Sequence, residues 1–156
     1  MPSLPVQDGR KFFILPQGYE GGGYYTYGDP GAGVSQYAHP QLLSLIMQIA
    51  GRWTAIDTRK FGLGDISLAN GPKHPDHATH RSGFEIDIRP LRKDGRRDKC
   101  WIGMSDYDKE GTAKLIALLN AEPCVRQILF NDRSIAGVRP AKGHSNHFHV
   151  ALSLKG

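Results

Sequence analysis

Two cysteines, Cys100 and Cys124, are all that a chain of 156 residues contains. They are too few and too far apart for a zinc ribbon or a disulfide scaffold. One bridge, if the protein works outside the cytoplasm, and two buried thiols both stay open. Long apolar runs are missing as well. The longest, "LLSLIMQIA", falls short of the about 20 residues needed to cross a bilayer, so stable membrane insertion is not expected. The opening "MPSLPVQDGRKFFILP" has no basic segment leading into a long apolar stretch and does not read as a secretory signal. Repeats, low-complexity tails and linkers are also lacking. The expectation is therefore one domain over residues 1–156, large enough to bury a core without cross-links.

Acidic residues are outnumbered, 15 Asp and Glu against 20 Lys and Arg, for a net charge of +5. Such a balance favours an acidic partner. The basic residues concentrate in "RPLRKDGRRDK", residues 89–99. Few aromatics interleave with them, which argues against a nucleic-acid partner. The stretch reads as a solvated loop.

Gly, Pro and Tyr dominate "GYEGGGYYTYGDPGAG", a composition that predicts an irregular N-terminal segment. Leu42, Leu45, Ile46 and Ile49 recur at helical spacing between Pro40 and Gly51, predicting a helix that stops at the glycine. "WTAID", residues 53–57, then reads as a strand. A second helix is expected from Tyr107 to Asn120, with Ser105 and Asp108 at capping-box spacing and Pro123 beyond its end. "VRQILF", residues 125–130, reads as a further strand. The fold class expected is α+β, with a small central antiparallel sheet flanked by helices.

Histidine is where the chain is unusual. Of seven, His39 stands alone, while His74, His77 and His80 form one group and His144, His147 and His149 another. Both groups adjoin strand-like alternation. In "FEIDIR" Phe84, Ile86 and Ile88 alternate with Glu85, Asp87 and Arg89, which turns Asp87 to the polar face. In "HFHVALSL" His147 and His149 share a face opposite Phe148 and Val150. Antiparallel neighbours of this kind bring Asp87 and His149 together. A catalytic zinc takes three nitrogen or carboxylate ligands and leaves one position open. His80, Asp87 and one histidine of the second group meet that need, with Gly83 between the first two to let the backbone turn. His39 and His74 read as ordinary surface or core histidines.

"GDISLANGPKHPDHATHRSGFEIDI" followed by "GHSNHFHV" resembles the penicillin-insensitive murein endopeptidases, zinc peptidases related to lysostaphin and the D-Ala-D-Ala peptidases. "GYYTYGDP" and "YAHPQLLSLI" are similar to the N-terminal half of that family. The resemblance implies a zinc site of His80, Asp87 and His149 that the central sheet carries. It implies catalytic roles for His147 and His144, and a supporting or substrate-binding role for His77. The substrate implied is peptidoglycan, cut at peptide cross-links of the D-alanyl–meso-diaminopimelate type. Basic charge suits the carboxylates of those stems.

Members of that family are typically exported, which implies the periplasm or cell wall as the site of action. Either a leader has been removed, or the protein arrives by another route, as a phage lysin or as an antibacterial effector with an immunity protein in the producing cell. A monomer is expected. Two other classes compete with this one: a zinc-containing wall-binding module without turnover, and a small metal-dependent nuclease. The presence of both His144 and His147 argues against the first, and the order of the histidine motifs against the second.

Overall fold

The computed structural model describes residues 6–18 and 22–153; residues 19–21 of the Gly/Tyr-rich segment lie outside it. In chain order the elements are β1 (Phe13–Ile14), β2 (Tyr24–Thr26), β3 (Tyr37–Ala38), α1 (Pro40–Thr54), β4 (Phe61–Leu63), β5 (Glu85–Ile88), α2 (Lys109–Asn120), β6 (Val125–Leu129) and β7 (Phe148–Leu152). Strands β1 and β3 form a small antiparallel pair. The other five make one sheet in the order β2-β4-β5-β7-β6. The α+β class expected from the sequence is the one observed.

The sheet itself differs from expectation. It is neither small nor wholly antiparallel, because β2 joins it parallel to β4. Tyr24, expected in an irregular segment, is a buried core residue on that strand. The sheet's two middle strands, β5 and β7, pair antiparallel with Ile86 opposite Val150 and Asp87 opposite His149.

Helix α1 runs past Gly51 to Thr54, so the strand expected at residues 53–57 does not form. The reason is visible in its buried stripe of Leu42, Leu45, Ile46, Ile49, Ala50 and Trp53. Trp53 continues the helical spacing and is fully buried, while Gly51 is exposed with open space around it. One exposed glycine costs only about 1 kcal/mol, less than burying an indole gains. At the other end His39 is the cap: its Nδ1 accepts the Gln41 N–H at 3.0 Å, and its ring stacks on Phe84 at 4.2 Å. His39 thus has a structural role.

Helix α2 shares the core through Leu115, Ile116 and Leu119. It starts later than the sequence indicates, because Asp108 is itself the cap, accepting the Gly111 N–H at 3.0 Å. The same carboxylate pairs with Arg59 at 2.7 Å, whose guanidinium also holds Asp57 at 2.8 Å. Burial works against the Asp108 charge, but Gly111 and Arg59 outweigh it and lower its pKa below the ordinary value. A carboxylate with a lowered folded pKa stabilises above its unfolded pKa, and that contribution is lost as pH falls through the folded value. Asp108→Ala should therefore cost roughly 1–2 kcal/mol at neutral pH, and its deficit relative to wild type should shrink below about pH 4. Urea unfolding at pH 7 and pH 3 measures both; an equal deficit at the two values would exclude the charge as its cause.

Candidate metal centre

The face of β5 and β7 opposite the apolar core carries the polar side chains. Ile86, Ile88, Phe148 and Val150 point into the core at 1% exposure or less, and Glu85, Asp87 and His149 point away from it. That second face is not open to solvent. Asp87 and His149 are each only 5% exposed. They lie at the floor of a cleft of about 970 Å³, which His77, His80, His144 and His147 also line.

One atom organises the floor. Asp87 Oδ1 lies 3.1 Å from His149 Nδ1, 3.2 Å from His80 Nε2 and 3.7 Å from His147 Nε2. Two strands and two loops contribute to this point, so the two histidine groups of the sequence become one site. His80 reaches it on a left-handed backbone, φ 64°, and Gly83 turns the chain back with φ 77°. A Cβ at Gly83 would stand 2.7 Å from the Phe12 ring and 3.1 Å from the His39 nitrogen. Glycine is required there on both counts.

Electrostatics follow from the geometry. Burial opposes ionisation of Asp87, but His149 and His80 outweigh it and hold the carboxyl well below the usual carboxylate range. Burial likewise opposes charge on His149, yet Asp87 and Glu85 raise its pKa to about 9. The His147 pKa is lowered, chiefly by burial. Glu85 is drawn down to about 2, first by His149.

His144 stands beside the focus rather than at it. Its ring centroid is 4.8 Å from that of His147 and 5.8 Å from that of His149, and its Nδ1 is 3.0 Å from the Lys142 carbonyl. His77 packs on His80 with centroids 4.5 Å apart and bonds Asp65 Oδ2 through Nε2 at 2.7 Å. His74 is held apart from the chemistry. Its Nε2 donates to the Asp29 carbonyl at 2.7 Å and its Nδ1 accepts the Asp76 N–H at 3.1 Å. Both ring nitrogens are used, so its proximity to Asp65 and His77 leaves no lone pair for a cation.

Asp65 and Glu85 are the site residues that motif reading passes over. Asp65 is a hub: beyond His77, its Oδ1 accepts from the Asp29 N–H at 2.7 Å and the Ser35 hydroxyl at 2.6 Å. It follows β4, a strand too short to read from periodicity. Glu85 was legible, since it alternates in phase with Asp87. Cys100 and Cys124 are both free thiols, and burial pushes the Cys100 pKa up.

The donor set is compatible with a metal ion. His77, His80 and Asp87 offer three ligand atoms within 4.8 Å of one another, and His149 Nδ1, 3.1 Å from the same carboxylate, adds a fourth donor atom. Nearly buried imidazoles converging on one carboxylate match the nitrogen and oxygen chemistry that zinc favours. His80 faces that carboxylate through Nε2, while its Nδ1 is buried without a hydrogen-bond partner among the described residues. The shared carboxylate gathers ring nitrogens to one point, and the left-handed backbone of His80 is the kind of outlier that clusters at functional sites.

The model of the penicillin-insensitive murein endopeptidase family matches residues 32–117, more than half of the chain. The chain belongs to that family. The matched span contains His77, His80 and Asp87, and it ends before the second histidine group. A penicillin-insensitive murein endopeptidase of Haemophilus influenzae is 26% identical over 153 residues, covering 75% of this chain and 51% of the relative. This murein endopeptidase family member thus spans about half the length of that relative. Among its described residues no helix is long and apolar enough to cross a membrane.

Proposed function

We propose that this family member is a zinc-dependent peptidoglycan endopeptidase hydrolysing peptide cross-links of the D-alanyl–meso-diaminopimelate type in the periplasm or cell wall. The observation that carries the reading is the convergence of His80, His147 and His149 on Asp87 Oδ1 in a chain of this family. His80, Asp87 and His149 are the residues that would hold the ion. Bound zinc supplies Lewis-acid polarisation of a carbonyl and a water activated for attack near neutral pH.

The protein's own residues do the rest. Asp87 neutralises cationic charge on the floor and keeps His80 and His149 turned toward one point. His147 and His144 take the proton-transfer roles, accepting a proton during attack and returning it to the leaving amine. His147 suits this because burial favours its neutral form. His77 is assigned to the wall of the site, steadied by Asp65, where it supports a ligand or contacts substrate. Arg89, Lys99 and Lys142 line the same cleft and complement the carboxylates of peptide stems.

A role as a phage lysin or an injected antibacterial effector fits this chemistry equally, the latter with an immunity protein in the producer. The proposed working unit is a monomer with one peptidase domain.

The deciding experiment is mass spectrometry of muropeptides after digestion of purified Gram-negative sacculi, with His149→Ala as control. Cross-linked dimers should decline as monomers rise with the wild type only. Unchanged dimers with folded, zinc-loaded protein would reject the peptidase. Binding to sacculi without cleavage would then identify a wall-binding module, and nicking of plasmid DNA a nuclease.

A further inference from the structure

Glu85 lies one alternation away from Asp87 on β5 and faces the same cleft. Its two carboxylate oxygens are divided between the two histidines proposed above as ligands. Oε1 is 3.5 Å from His149 Nε2, on the far side of the ring from Asp87. Oε2 accepts the backbone N–H of His80 at 3.2 Å.

The register explains why one side chain reaches both. Glu85 pairs with Ala151 and Asp87 with His149, so Glu85 is the diagonal neighbour of His149 on the same face, within reach of a long side chain. The His149 ring is thereby bracketed by two carboxylates, one at each nitrogen. If Nδ1, on the side of Asp87, serves a cation, the ring keeps its one proton on Nε2, and Glu85 Oε1 is the carboxylate oxygen facing it at 3.5 Å. His80 needs support of a different kind. A histidine at φ 64° carries backbone strain, and such strain persists only where neighbours over-determine it. A charged acceptor on its N–H is one such neighbour, since bonds to ionised acceptors are the stronger class.

We propose that Glu85 is a positioning residue that orients His149 through Nε2 and pins the strained backbone of His80, presenting both rings to one cation. This rests on the metal reading given above. Outer carboxylates of this kind set the orientation and basicity of histidine ligands, and their loss typically weakens metal binding 10- to 100-fold.

The test uses the full chain with Zn²⁺ alone as probe. Metal-free wild type, Glu85→Gln and Glu85→Ala are titrated with zinc against a chromophoric chelator. Exchange of the His149 Nε2–H with water is followed by NMR in the zinc-loaded state. Glu85→Ala should bind zinc about 10- to 100-fold more weakly, and its Nε2–H should exchange faster than in wild type. Glu85→Gln keeps one acceptor oxygen of the same reach and should fall between. A residue serving only the fold would lower the melting temperature and leave the ring proton unchanged.

Wild-type affinity and exchange in Glu85→Ala, while wild type binds zinc, would overturn the role of Glu85 alone. Absence of zinc binding by wild type would overturn the metal reading with it. Should Glu85→Ala fail to fold, wild-type values in Glu85→Gln overturn the role and intermediate values support it.

Discussion

Asp87→Asn should eliminate both zinc retention and cross-link hydrolysis while leaving a folded protein. Asparagine preserves the size of the side chain. The backbone bonds at this position, the N–H to the Asp65 carbonyl at 3.2 Å and the carbonyl from the Gly64 N–H at 2.8 Å, do not depend on the carboxylate. What disappears is the charge at the single oxygen facing His80, His147 and His149. The loss in metal affinity should exceed the roughly 100-fold expected for an outer partner, because a proposed inner ligand is removed. Metal content after dialysis and dimer hydrolysis are the two readouts, with circular dichroism of the metal-free protein as the check on folding. An Asp87→Asn protein that keeps its zinc and its activity would refute the site.

Phe148→Ala should show the opposite pattern: a large loss of stability from a residue that has no part in the chemistry. Phe148 is fully buried and meets Phe130 edge-on with centroids 5.7 Å apart. Emptying such a position costs roughly 3–5 kcal/mol, as lost transfer energy and a cavity that collapses only in part. Against a total of about 5–15 kcal/mol for an ordinary domain, the melting temperature should fall by roughly 6–20 °C. His147→Ala, one residue earlier, removes a partly exposed ring and should cost under about 1 kcal/mol while turnover collapses. Both are best measured on metal-free protein, since a ligand bound by the folded state would mask the difference. Equal melting temperatures for the two variants would contradict the assignment of these neighbours to opposite faces.

That neighbouring residues can be given opposite roles is something the sequence itself declares. A strand turns successive side chains to opposite faces, so "FEIDIR" and "HFHV" carry core and site in alternation. Pairing of the two strands then brings Asp87 opposite His149. Helix α1 was equally legible in its apolar stripe, although its end was not. Gly51 looked like a stop, and only the packing of Trp53 into the core carried the helix through it. The motifs around both histidine groups also identified the family.

Other features escaped because they rest on contacts between distant segments. Strand β4 has three residues with a glycine among them, too few for any period, so neither the parallel β2–β4 pairing nor the position of Asp65 beside His77 was readable. The polar face of β5 and β7 was expected to be polar, but not covered. Its burial lowers the His147 pKa and opposes the Asp87 charge, which His149 and His80 sustain.

The sequence alone therefore determined the chemistry available and, along β5 and β7, the face that each side chain takes, because both follow from residue type and local periodicity. Tertiary structure decided which of those groups meet at Asp87 Oδ1, that His74 is bonded away from them, and that Glu85 supports two of them at once. Those outcomes depend on strand order and loop closure, which bring together residues sixty positions apart and leave no periodic trace in the chain.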